Sequence, residues 1–339
     1  MKYLPNRVLF EEKSLEYPLG QRLYKKFNDM KIPTDILKNN RVTAIPKETP
    51  QMEYGEGKAT LVIRVRKNKK FESCKPSAHY QLPLISGCTG KCEYCYLNTR
   101  FGKKPYTTIY VNVDEILNTA EKYMEERKPE ITYYEMSATS DPIPFERYTK
   151  ILGKVIEFMG DKEYGRLRFV TKFDDVDDLL DINHNGHTTI RFSINTFKVI
   201  NEYEHATVGL NERLIAAKKV MDKGYPTGFI IGPVIIYENW KNDYDDMLIT
   251  LKESLSNEYK EEIHFEVISH RYTNAAKNRI LQIFPNSTLP MDEERRVFKY
   301  GQFGYGKYVY DKEILNEIRE YFNRSIKSYF PNSIIDYII

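Results

Sequence analysis

Cysteine is scarce in this 339-residue chain, with four in all, and tryptophan is scarcer, with one. Four cysteines are too few for a disulfide framework, so the thiols are expected reduced and the chain cytoplasmic. No run is long and apolar enough for a signal peptide or a membrane span. No internal repeat or low-complexity tract is evident. Net charge is only +3, so an argument for nucleic acid must come from local clusters of cations. Two such clusters exist: Arg64, Arg66, Lys67, Lys69 and Lys70 in the N-terminal part, and Arg295, Arg296, Lys299 and Lys307 near the C-terminus. An apolar content of 41% is ample for a core, and tyrosine is abundant at 27 residues. Tyrosine rings suit base stacking and radical transfer, although most are expected to serve as half-buried packing.

Three of the four cysteines stand in one stretch, Ser86-Gly87-Cys88-Thr89-Gly90-Lys91-Cys92-Glu93-Tyr94-Cys95-Tyr96, with the spacing C-x3-C-x2-C. Thiolates this close in sequence imply a metal, and soft sulfur ligands select zinc, copper(I) or an iron-sulfur cluster. Three cysteines would leave one iron of a [4Fe-4S] cluster without a protein ligand, where a substrate can bind. Gly87, Thr89 and Gly90 allow the backbone to wrap closely round such a group. A zinc site would instead need a fourth ligand, for which Cys74 or His79 lies upstream. Buried cysteines acting as small apolar residues would not alternate with Lys91 and Glu93.

Residues 1–80 read as an N-terminal layer packed on the rest of the chain, with strand-like alternation at 59–66. From 81 to 290 six strand-like runs (82–86, 131–137, 167–171, 188–194, 228–236, 263–269) alternate with helical patterns at 114–127, 147–159, 174–181, 210–222, 240–255 and 273–283. Asp114 is the expected N-cap of the first. Alternation of this kind predicts an α/β fold, an open partial (β/α)6 barrel with an N-terminal extension and a C-terminal β-hairpin plus helix. Barrel chemistry gathers at the C-terminal strand ends. That rule selects the cysteines, Ser137 to Asp141, Thr171-Lys172, Ser193 to Asn195 and Gly232-Pro233.

Residues 291–339 open with Arg295 to Tyr310, where aromatics interleave with cations around Gly301, Gly304 and Gly306. This predicts a hairpin with a tight turn, either an ordinary edge hairpin with solvated lysines or one that tracks phosphates and wedges a base. An amphipathic helix at 311–328 closes the chain.

The cysteine loop resembles the cluster loop of radical SAM enzymes. KPSAHY (75–80), SGCTGKCEYCYL, EMSATSD, GRLRFVTKF, RFSIN and GQFGYGKYVY together make nearly the whole chain resemble the spore photoproduct lyase family. The resemblance implies repair of the spore thymine dimer, 5-thyminyl-5,6-dihydrothymine, in DNA to two thymines through a 5'-deoxyadenosyl radical. It implies a [4Fe-4S] cluster on Cys88, Cys92 and Cys95, and S-adenosylmethionine (SAM) held by Ser140, Lys172 and Ser193. Tyr94 and Tyr96 match the family tyrosines that pass a radical back, and Arg295, Arg296, Lys299 and Lys307 would grip phosphates. Implied partners are double-stranded DNA carrying the lesion and a reductant such as flavodoxin or ferredoxin, with a monomer in the germinating spore and no membrane.

One departure from the family pattern matters. Many members carry a hydrogen-donating cysteine where this chain has Ala138, and Cys74 is the only cysteine outside the cluster motif. Cys74 is therefore the expected donor, with Tyr94 or Tyr96 next. The rival expectations are a radical SAM enzyme acting on another nucleic acid or a peptide, and a non-catalytic zinc nucleic-acid-binding module.

Overall fold

The computed structural model describes residues 2–43, 45–46, 48–255, 262–300 and 306–339. The chain forms two compact units: Met1–Thr89, Phe101–Thr171 and Asp175–Ile190 make the first, and Gly90–Arg100, Lys172–Asp174 and Arg191–Ile339 the second. These limits differ from segment boundaries at 80 and 290, because strand Thr107–Tyr110 pairs with Thr60–Arg64 of the N-terminal layer.

In the first unit a five-stranded sheet runs in the order Thr34–Ile36, Arg7–Phe10, Thr60–Arg64, Thr107–Tyr110, Ile85–Ser86. The first four pair in parallel, and Ile85–Ser86 is antiparallel to its neighbour. The expected first barrel strand at 82–86 is thus a correction. Pro83 cannot donate to a ladder, so the barrel strand is Ala78–Gln81, which pairs in parallel with Thr132–Glu135.

The barrel sheet has the order Ser73–Cys74, Ala78–Gln81, Thr132–Glu135, Gly165–Thr171, Thr188–Ile194, Thr227–Val234, His264–Ser269, Ile334–Ile338. Strand Thr188–Ile194 begins in the first unit and ends in the second. The six strands from Ala78–Gln81 to His264–Ser269 make the chain an open partial (β/α)6 barrel, with strands such as Thr227–Val234 buried on both faces. Ser73–Cys74 adds an antiparallel edge, and Ile334–Ile338, which the sequence did not suggest, adds a parallel one.

Helix Val113–Arg127 starts one residue before Asp114, which sits in its first turn and pairs with Lys154 at 2.6 Å instead of capping. The expected helix at 147–159 is two helices, Ile143–Thr149 and Ile151–Gly160, broken at Lys150 with φ +54°. The expected helix at 174–181 is only a 3-10 turn, Asp177–Leu179. Carboxylates at 174, 177, 178 and 181 repel at helical spacing, and aspartate is a poor helix former. Helix Lys312–Tyr329 closes the region as expected, its N-cap Asp311 accepting from the Ile314 N–H at 2.8 Å. Among the described residues no helix is long and apolar enough to cross a membrane.

Candidate active site

In the first unit the start of the cysteine loop lies against the segment that follows barrel strand Thr132–Glu135. Gly87 has φ +99°, and its N–H donates to the Thr139 carbonyl at 2.8 Å. A Cβ at Gly87 would lie 2.7 Å from the Tyr106 carbonyl oxygen, so only glycine fits. Gly87 also bridges Ser140, whose buried hydroxyl donates to the Met136 carbonyl at 3.0 Å. Next to it, the Glu135 carboxylate is buried and accepts from Ser77 at 2.8 Å and from the Ser137 N–H at 3.1 Å. Arg168 donates to the Ser77 carbonyl at 2.7 Å. These bonds pin the turn after Cys74 against the loop that carries Ala138.

In the second unit Cys92 and Cys95 lie on a turn closed by the Cys95 N–H to the Cys92 carbonyl, at 3.2 Å. Lys91–Cys92 pairs antiparallel with Glu204–His205, and Asn98 donates to the Cys92 and Glu93 carbonyls at 3.0 and 3.2 Å. Glu93 accepts from the hydroxyl of Ser287 and contacts His205 Nε2 at 2.8 Å, tying the turn to the body of the unit. Tyr96 is 55% exposed, whereas Tyr94 packs on the core formed by Val199, Tyr203, Ile235 and Tyr272.

Glu204, fully buried, is the centre of charge here. It accepts from the Tyr94 hydroxyl and from Lys172 at 3.0 Å, and pairs with Arg213 at 2.6 Å. Lys172 also donates to Ser193 Oγ at 2.7 Å and lies 5.6 Å from the centre of the Tyr94 ring. Burial alone would raise the Glu204 carboxyl, but the Arg213 and Lys172 charges hold it down at about 2. The Tyr94 hydroxyl is pushed well above its ordinary range by burial and by the Glu204 charge. Lys172 and Ser193 are thus brought together as expected. Glu204 and Arg213 were missed, for no motif marks them.

At the hairpin, Lys299 stands directly opposite Lys307 in the antiparallel register of Val297–Tyr300 with Gly306–Val309. Burial and the neighbouring charges of Arg271 and Lys299 lower Lys307. Arg295 is exposed, reaching Asp292 only at 3.8 Å. Arg296, another of the expected phosphate contacts, is engaged within the protein. Its guanidinium donates to the His270 carbonyl at 2.8 Å and the Pro290 carbonyl at 3.1 Å, and stacks 3.6 Å from the centre of the Tyr310 ring, so it anchors the hairpin base. The expected glycines at 301 and 304 lie outside the described residues.

A family model for spore photoproduct lyase matches residues 3–339. The chain belongs to the spore photoproduct lyase family. It is 51% identical to the spore photoproduct lyase of Clostridium acetobutylicum over the full length of both chains. It is 46% identical to that of Bacillus subtilis, with 99% of this chain and 98% of the relative covered. A solved structure of a spore photoproduct lyase variant with bound AdoMet and dinucleoside spore photoproduct superposes with a TM-score of 0.98, at 45% identity and full coverage of both chains. Spore photoproduct lyases are radical SAM lyases, whose cofactors are a [4Fe-4S] cluster and SAM, and this chain is one of them.

The cysteine loop fits that cluster. It offers three thiols outside any disulfide and a glycine where a side chain would collide. It also carries a buried Thr89 hydroxyl without a protein hydrogen-bond partner, a donor that a cluster sulfide would accept from. Among the described residues no three His, Cys, Asp or Glu side chains close on a single metal ion. A cubane spreads its thiolates over separate irons and does not require that. The zinc alternative loses one ligand, because His79 Nδ1 accepts from the Tyr133 N–H at 3.0 Å.

Proposed function

We propose that this chain reverts spore photoproduct in DNA to two thymines, with Cys88, Cys92 and Cys95 holding the cluster and Ser140, Lys172 and Ser193 holding SAM. The match of the family model to residues 3–339, with the three-cysteine loop inside it, carries this reading. When bound, the cluster and SAM supply a 5'-deoxyadenosyl radical, which in the family removes the C6 hydrogen of the dihydrothymine half. Lys172 is suited to the SAM carboxylate because a cation pairs strongly with a carboxylate away from water. Glu204 and Ser193 keep its ammonium in place for that task.

The thymine radical left after the bridge opens needs a hydrogen atom, and Ala138 has none weak enough to give. We assign that step to Cys74: its S–H bond breaks, the product C–H bond forms, and a thiyl radical remains. The Ser77–Glu135–Ser137 contacts, which dock the Cys74 turn against the Ala138 loop, support this assignment. Tyr94 and Tyr96 are assigned the return of the radical. Arg295, Lys299 and Lys307 are assigned to phosphates, and the directly opposed lysines favour an anion between them. The substrate is the lesion within duplex DNA, extruded for reaction at the low unstacking cost of a damaged base. The reductant is a flavodoxin or ferredoxin, and the protein acts as a monomer in the cytoplasm of the germinating spore.

The test is anaerobic SAM-dependent repair of spore-photoproduct DNA by the iron-loaded protein in deuterated buffer. Thymine carrying solvent deuterium is expected, since a thiol exchanges with water. Absence of repair by fully loaded protein overturns the function. A Cys74→Ala protein should still open the lesion but divert the radical into abnormal adducts, and normal deuterated repair by it refutes the role of Cys74.

A further inference from the structure

The cluster loop has a neighbour to which the proposed reaction gives no task. Lys58 is 4% exposed, more deeply buried than any other lysine among the described residues. Lysine is almost never buried without a specific reason, because its ammonium is strongly hydrated in water. It is the last residue of helix Pro50–Lys58, and its Nζ donates to the carbonyl oxygen of Cys88 at 2.8 Å. The same ammonium lies 5.3 Å from the centre of the buried Tyr54 ring, whose face favours a cation.

The contact is built by close packing. A Cβ on Gly57 would lie 2.4 Å from the Pro105 ring, and one on Gly87 would lie 2.7 Å from the Tyr106 carbonyl oxygen. The segment at 105–107 is therefore in intimate contact with the end of the helix on one side and with the start of the cysteine loop on the other. Both glycines are needed for the helix, the segment and the loop to approach so closely, and the approach brings the lysine to Cys88.

We propose that Lys58 is a positioning residue for the cluster, pinning the Cys88 carbonyl and setting the reduction potential with its charge. The proposal rests on the assignment of the cluster to Cys88, Cys92 and Cys95. A cluster gains one negative charge on reduction, so a buried cation beside one of its ligands stabilises the reduced form more than the oxidised form. Removing that charge makes the cluster harder to reduce. The N-terminal layer thereby contributes directly to the chemistry.

The experiment compares anaerobically reconstituted full-length native protein, Lys58→Gln and Lys58→Arg, by iron and sulfide content and by a redox titration monitored by electron paramagnetic resonance. Lys58→Gln keeps a donor for the Cys88 carbonyl but no charge, and a shift to more negative potential at native iron content is expected. Lys58→Arg should titrate at the native potential. An iron-poor Lys58→Gln beside an iron-loaded Lys58→Arg at the native potential also supports the proposal, since the cation is then needed to hold Cys88 at all. An unshifted Lys58→Gln, an Lys58→Arg shifted as far as Lys58→Gln, or loss of iron from both variants overturns it. Native protein that takes up no iron refutes the cluster assignment instead, a different outcome.

Discussion

Replacing Glu204 by glutamine keeps the shape of the side chain and removes the charge on which Tyr94, Lys172 and Arg213 converge. Glu204 and Arg213 are both fully buried and 2.6 Å apart, so neither is relieved by water. At an effective dielectric constant of about 20, a pair this close attracts by about 6 kcal/mol, much of it offset by the desolvation of both ions. Taking one member away leaves the other buried and uncompensated, which costs about 3–5 kcal/mol. The depressed Glu204 carboxyl, at about 2 against 4.5, corresponds to about 3 kcal/mol at neutral pH, in the same range. The sign is set by the depression: this stabilisation is complete above the ordinary carboxylate range and is lost as pH falls through about 2.

The assay is a double-mutant cycle in urea on the native protein, Glu204→Gln, Arg213→Met and the double variant, with equal m-values as the check that midpoints report stability. Each single variant should lose about 3–5 kcal/mol. The double variant should lose clearly less than their sum, by about 3 kcal/mol, because methionine no longer needs the carboxylate. Losses that add to within about 0.5 kcal/mol would refute the view that the two charges stabilise each other.

Acid should weaken the fold through His270, which burial and the Arg296 charge hold at about 3, so that below the ordinary histidine range the unfolded chain binds a proton that the native one refuses. Stability is expected to fall by about 1.4 kcal/mol per pH unit between about 6.5 and 3, and His270→Asn should flatten that slope in urea midpoints taken at several pH values. Replacing Lys299 and Lys307 by glutamine should lower the log-log salt slope of binding to lesion-bearing duplex DNA by roughly one for each phosphate no longer neutralised, and an unchanged slope returns the hairpin to ordinary structure. Arg296→Gln should instead lower the unfolding free energy by about 1–3 kcal/mol, since it strips bonds from the His270 and Pro290 carbonyls. Alanine at Cys88, Cys92 or Cys95 should abolish cluster assembly, read as iron content, and full iron in any of the three overturns that assignment.

What could be read from the sequence was whatever is local in it. The cysteines were legible because they lie within eight residues, and Lys172 and Ser193 because both terminate runs whose periodicity marks them as strands. Pro83 hid the first barrel strand, since the apolar run around it continues past the point where the ladder must stop. Glu204, Arg213 and Lys58 were illegible for another reason. Arg213 lies on helix Leu210–Asp222 and Lys58 ends helix Pro50–Lys58, positions where a cation ordinarily faces water or complements the helix dipole. Glu204 lies in a two-residue strand whose partner is Cys92, 112 positions upstream. A charge becomes chemically significant here only when it is buried against a partner, and burial depends on contacts that no local pattern records. The departures that do carry chemistry are therefore charges that look like surface and are not. Among them Lys58 has the most consequence, because its partner is a carbonyl of the cysteine loop itself.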